Sequence, residues 1–158
     1  VLEFDAGMAA GNSMVSEHVK GKVVNAVNEF SKDTRYLGKV LLAEDNEENR
    51  RLLGFYLKRA GVDFIVVEDG AKAVQYAVTE DVDLILMDMQ MPIMDGVSAI
   101  RILRQQGFSK PIVVLTANVL AEDKEACKQA GSDEFLSKPI DVKRFYSVLD
   151  QYLEKAES

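Results

Sequence analysis

One cysteine and one histidine are all that 158 residues contain of the two soft, versatile ligand types. Cys127 has no second thiol for an internal disulfide, and no Cys/His cluster has zinc-ligand spacing. The chain therefore reads as one for a reducing compartment, the cytoplasm, without structural zinc. Basic residues are also scarce. The 19 Lys plus Arg against 26 Asp plus Glu leave a formal charge of -7, the wrong sign for direct nucleic-acid binding. Lys20, Lys22 and Lys32 form no basic stripe. No apolar run approaches the roughly 18 residues that a membrane span needs, and Val1-Leu2-Glu3-Phe4-Asp5 lacks a basic stretch followed by an apolar one. No initiator methionine is present, as expected of a segment from a longer protein, and no internal repeat appears.

What is present is a globular balance of 47% hydrophobic and 28% charged residues, enough for one sizeable core. From Lys39 onward, short apolar runs alternate with stretches of helical periodicity. The runs are 40–43, 64–67, 84–87, 112–115 and the shorter 134–136. Most are continuously apolar, as expected of strands buried on both faces of a parallel sheet. Asn46 is the expected cap of the first helix, which presents Leu52, Leu53, Tyr56 and Leu57 on one face and stops at Gly61. Later helices are expected after Asp69-Gly70, after Asp95-Gly96, from about Leu120 to Ala130, and after the cap Asp141. Five strands and five helices joined by right-handed crossovers give a doubly wound α/β sandwich over residues 39–156. Residues 1–38 read as a linker or the tail of a preceding domain, with Val15, Val19, Val23, Val27 and Phe30 supporting one weak helix.

Ligands of open α/β sheets bind outside the carboxyl ends of the strands. The residues at those ends are Glu44 and Asp45, Asp88, Thr116 and Lys138. Three converging carboxylates repel one another unless one holds a proton or a cation neutralises them. An all-oxygen ligand set favours a hard ion, Mg²⁺, and such an ion brings phosphate oxygens with it. Asp88, with a reference pKa of about 3.9, would be ionised at neutral pH and able to attack phosphorus without a general base. Lys138 and Thr116 are suited to charge developing on the phosphoryl oxygens.

Those residues stand in Leu42-Ala43-Glu44-Asp45-Asn46, in Leu84-Ile85-Leu86-Met87-Asp88-Met89-Gln90-Met91-Pro92-Ile93-Met94-Asp95-Gly96, in Leu115-Thr116-Ala117 and in Phe135-Leu136-Ser137-Lys138-Pro139. With these four motifs in order, residues 39–156 resemble a response-regulator receiver domain of two-component phosphorelays. The resemblance implies a flavodoxin-like five-stranded parallel sheet in the order 2-1-3-4-5. It implies that Asp88 is the phosphoacceptor, that Asp45 and Asp88 bind Mg²⁺ directly, and that Glu44 acts mostly through water. The backbone carbonyl of Gln90 would complete the protein ligands. Thr116 and Lys138 would contact the phosphoryl group, and Phe135 would be the aromatic switch, lacking the hydroxyl of the Tyr often found there. Gln90 and Asn118 would tune hydrolysis of the acyl phosphate, and the Lys138-Pro139 bond would be cis. Partners would be a histidine kinase or histidine phosphotransfer domain, meeting the face beside the first helix.

The chain is thus expected to be a signalling phosphoacceptor rather than a turnover enzyme. An aspartyl-phosphate phosphohydrolase usually has a second Asp two residues beyond its nucleophile, where this chain has Gln90. A flavodoxin-like redox carrier would need a phosphate-cradling Ser/Thr/Gly loop after the first strand. The methionines at 87, 89, 91 and 94 flank a hard-ligand Asp and read as packing residues rather than a copper site. His18 matches no phosphohistidine motif, and Cys127 reads as a small core residue. With only four residues after the last helix and a linker before the first strand, the arrangement resembles the carboxyl-terminal receiver of a hybrid sensor histidine kinase, on the cytoplasmic side; a stand-alone receiver that signals by docking is the alternative.

Overall fold

The computed structural model describes residues 35–117 and 121–156. The expected linker up to residue 34, with its weak helix and His18, and the tuning position Asn118 lie outside the described residues. In chain order the elements are β1 (Lys39–Ala43), α1 (Glu47–Ala60), β2 (Asp63–Val67), α2 (Gly70–Thr79), β3 (Leu84–Asp88), α3 (Gly96–Gln105), β4 (Ile112–Thr116), α4 (Ala121–Ala130), β5 (Glu134–Ser137) and α5 (Val142–Tyr152). All strand pairings are parallel, in the order β2-β1-β3-β4-β5. This is the flavodoxin-like order expected from the motifs.

Period-two alternation divides the sheet's side chains between two cores. Val40, Leu42, Leu84, Leu86, Val113 and Leu115 face α1 and α5. Leu41, Ala43, Ile85, Met87, Ile112 and Val114 face α2, α3 and α4. Every residue of β3 and β4 is buried, which explains their continuous apolar runs. The run that forms β2 reads the same way, yet β2 is an edge strand and Val66 stays 39% exposed. On α1, Leu53 and Leu57 point inward as expected, whereas Leu52 lies one position off the stripe and faces solvent. Phe145 of α5 is fully buried, a contribution of about 1.5–3 kcal/mol.

The caps act where the sequence put them. Asn46, Asp69, Asp95 and Asp141 each accept a hydrogen bond from the backbone N–H three residues on. Gly61, at φ +72°, closes α1 with its N–H on the Lys58 carbonyl. Before β1, the arm 35–38 is drawn into the fold. Tyr36 is buried, pairs in an antiparallel bridge with Lys155, and its hydroxyl donates to Asp150.

Candidate active site at the carboxyl edge of the sheet

The sheet register assembles the site. Ala43 pairs with Met87 and Asp88 with Leu115, so Glu44 and Asp45 leave β1 beside Asp88 at the end of β3. Thr116 pairs with Ser137, which brings Lys138 alongside, and the Lys138 N–H donates to the Thr116 carbonyl at 2.8 Å. One carboxylate oxygen from each of Glu44, Asp45 and Asp88 lies within 4.8 Å of the other two. Glu44 and Asp88 are buried, and Asp45 opens to solvent. The three predicted acids, Thr116 and Lys138 therefore meet at one edge. The Lys138-Pro139 bond is cis.

Electrostatics at this edge are unbalanced. Lys138 Nζ stands 3.1 Å from Asp88 Oδ1 and 3.1 Å from Glu44 Oε1. Its aligned hydrogen bond falls on Glu44 Oε2, at 3.4 Å, which also accepts from the Asn46 N–H at 3.1 Å. Glu44 Oε1 is left buried beside a positive charge with no aligned donor, a rare state for a charged atom. Burial, and then the negative charge of Glu44, push the Asp88 carboxyl above its usual range against the opposing pull of Lys138. Burial alone would lower Lys138, but Asp88 and Glu44 outweigh it and hold the ammonium above its ordinary value. One ammonium cannot compensate three carboxylates. A hard cation fits this donor set, with Glu44, Asp45 and Asp88 able to hold it.

Sequence reasoning missed two supports. Arg50 donates through Nη1 to the carbonyls of Glu44 (3.2 Å) and Asp45 (2.8 Å), bracing the loop that carries both acids. Its position on the second turn of α1 was the available signal. Gly96 packs so closely that a Cβ there would lie 2.3 Å from the Asp88 carbonyl oxygen. The Asp88 side chain also accepts from the Gln90 N–H at 3.3 Å. Phe135 is half-buried on β5, with Lys124 Nζ 5.8 Å from its ring centroid. It lines a cleft of about 620 Å³ together with Lys124, Lys128, Ser137, Pro139 and Arg144.

Among the described residues no other group of three acids, histidines or cysteines gathers in this way, and no helix is long and apolar enough to cross a membrane.

Comparison with known proteins agrees with this geometry. The family model for the response regulator receiver domain matches residues 40–150. The sensor histidine kinase RcsC of Salmonella typhi is 36% identical over 116 residues, 73% of this chain, and the chain spans 12% of that kinase's length. A solved receiver domain of the sensor histidine kinase PA1611 from Pseudomonas aeruginosa, described with a magnesium ion coordinated in its active-site cleft, is 38% identical with a TM-score of 0.69 over 73% of this chain and 96% of that one. The receiver domain of Ssk1 from Saccharomyces cerevisiae, crystallised with the histidine phosphotransfer protein Ypd1, is 25% identical with a TM-score of 0.68, covering 75% of this chain and 90% of the other. The parallel order 2-1-3-4-5, the acidic edge and these matches together make the chain a member of the response regulator receiver domain family, a receiver of two-component signalling.

Proposed function

We propose that this domain accepts a phosphoryl group from a phosphohistidine onto Asp88 and relays the signal by a change of conformation. The observation that carries the reading is the excess of negative charge at the carboxyl edge, where Glu44 and Asp88 share Lys138, Asp45 stands beside them and Glu44 Oε1 has no aligned hydrogen bond. A site held that way favours whatever brings positive charge to it. Mg²⁺ is the ion its oxygen donors suit; Asp45 and Asp88 would hold it directly, Glu44 mostly through water, and the Gln90 carbonyl would complete the protein set. Bound there, the ion supplies neutralising charge and orients phosphoryl oxygens.

Transfer would proceed by attack of an Asp88 carboxylate lone pair on phosphorus. The new P–O bond forms as the donor's P–N bond breaks, and that electron pair returns to the imidazole nitrogen. Lys138 offsets charge on the phosphoryl oxygens, and the Thr116 hydroxyl hydrogen-bonds one of them. Recruitment of Thr116 would let Phe135 turn inward, away from Lys124, and change the cleft between α4 and α5. The identities of the relatives support a place within a hybrid histidine kinase, with residues 1–38 as linker or tail of a preceding domain whose last four residues pack on the receiver, residues 39–156 as the receiver, and the whole on the cytoplasmic side of the membrane. A histidine kinase or histidine phosphotransfer domain would be the partner.

Incubation with acetyl phosphate and Mg²⁺ tests the reading. Acid-stable mass spectrometry after borohydride trapping should find one modified residue, Asp88, and chelation should prevent it. Labelling elsewhere, or labelling that survives the chelator, would sink the assignment.

A further inference from the structure

We propose that the groove outside the edge strand β2 is the seat of the chain's own residues 15–30, docked there as a helix. The groove, of about 1210 Å³, is lined by Gly54 and Phe55 of α1 and by Phe64 and Val66 of β2. Phe64 and Val66 stand two apart in the strand and share one face of the sheet. Phe64 packs against the core beneath α1, whereas Val66 is exposed. Among the described residues no other large apolar side chain of a strand is exposed. Phe55 adds its own exposed ring. An uncovered edge strand invites wrong pairing, and a helix laid over it is one device by which proteins prevent that.

Gly54 points the same way. It lies inside α1, where glycine is less stable than alanine. A Cβ there would meet nothing nearer than the Phe64 ring, 3.8 Å from its Cε2, an ordinary contact. At Gly96, by contrast, a Cβ would lie 2.3 Å from a backbone oxygen. The fold therefore has room for a side chain at position 54. Its absence leaves a notch over Phe64 that an incoming side chain can fill.

The point where the chain enters the fold identifies the occupant. Arg35 lies on the turn between α1 and β2, so that a Cβ on Gly61 would be 2.7 Å from its Nη1 and 3.2 Å from its Cγ. Gly61 is next to Val62, which lines the groove where β2 begins. The Ala156 N–H donates to the Arg35 carbonyl at 2.8 Å and holds this entry in place. Residues 1–34 thus join the fold at one end of the groove. Val15, Val19, Val23, Val27 and Phe30 recur every three or four residues, the spacing of one helical stripe. Valine is a modest helix former and Gly21 interrupts the stretch, so such a helix draws its stability from an apolar seat rather than from propensity. The dimensions agree. A helix over 15–30 would be about 24 Å long, against about 21 Å for the 14 residues of α1, and the stretch from Phe30 to Arg35 reaches at most about 17 Å.

The intact 158-residue chain carrying Val66→Cys tests the seat, because its one native thiol, Cys127, is buried. A maleimide should react with the introduced thiol about ten times faster once Val23→Asp, in the middle of the stripe, is added. Asn25→Asp, on the other side of the same stretch, should leave that rate within about twofold. In the chain without the added cysteine, Gly54→Leu fills the notch with a better helix former. Hydrogen exchange of residues 15–30 should then quicken about tenfold while the melting temperature does not fall. A thiol rate that Val23→Asp leaves unchanged, or exchange over 15–30 that Gly54→Leu does not alter, overturns the inference. So does a thiol rate that falls as protein concentration rises, which would assign the groove to a second copy of the chain.

Discussion

The two ends of one sheet treat their acids in opposite ways. At the amino edge, Asp133 Oδ2 accepts from the Ile112 N–H at 2.9 Å and from Arg104 Nη2 at 3.0 Å. Arg104 gives its remaining donors to the carbonyls of Gly131, Phe108 and Lys110. Asp83 accepts from the Lys39 N–H and from Lys110 Nζ, at 2.9 and 3.2 Å. Tyr36 donates to Asp150, so burial and then that bond hold its phenol well above the ordinary range. Each of these carboxylates has a donor, and the network ties together the loops that enter the strands. At the carboxyl edge Glu44 and Asp88 share one ammonium beside a third acid, Asp45, and Glu44 Oε1 has no aligned donor. A satisfied acid strengthens a fold. An unsatisfied buried one weakens it and is free to gain from a ligand.

The sharpest break in that contrast is Asp88→Asn, which should abolish labelling by acetyl phosphate altogether while making the metal-free domain more stable. The sign follows from the raised Asp88 pKa in the folded state. Stability tied to its proton is complete below the unfolded value of about 3.9 and is lost as pH rises through the higher folded value. Urea midpoints should therefore show the variant's advantage at pH 7 and shrinking toward pH 4; a variant less stable than the parent at pH 7 would contradict the contrast. Next in size, Arg104→Ala at the amino edge should cost about 2–3 kcal/mol by removing a charged hydrogen-bond hub. Labelling per folded molecule should survive in that variant, and a selective loss of labelling would show that the two edges are not independent. Third, Mg²⁺ at tenfold excess over its Kd should stabilise the parent by about 1.4 kcal/mol. Calorimetry should find this effect reduced in Asp45→Asn and unchanged in Asp83→Asn. The smallest effect is expected for Tyr36→Phe, about 1 kcal/mol for the lost hydrogen bond, with no change in Mg²⁺ affinity; denaturation at matched metal levels would check both.

The carboxyl edge was more legible in the sequence than the amino edge. Apolar runs end there on residues whose chemistry stands out, and the spacing of Asp45, Asp88, Thr116 and Lys138 along strand–helix repeats suffices to gather them. Arg104, Asp133 and Asp83 look like ordinary surface charges, because their partners are mostly backbone groups, and any residue type carries those. Tyr36 was hidden for a different reason. It follows no periodic run and becomes a core residue through one antiparallel bridge to Lys155. Leu52 misled because neighbouring leucines on a helix share the pattern of an apolar face, and only the angle of α1 against the sheet separates Leu53 from Leu52. The edge position of β2 came with the strand order that the family resemblance implies and not from its apolar run, since strand order is set by crossovers rather than by composition.

The sequence by itself determined the alternation of strands and helices, their caps, and the identities of the groups that end at one edge, because period, capping and side-chain chemistry are local properties. Only the tertiary structure decided how those groups share charge: that Lys138 stands between two acids and that Arg50 braces their loop. Those are distances between residues far apart in the chain, and electrostatic balance depends on distance and burial rather than on order in sequence.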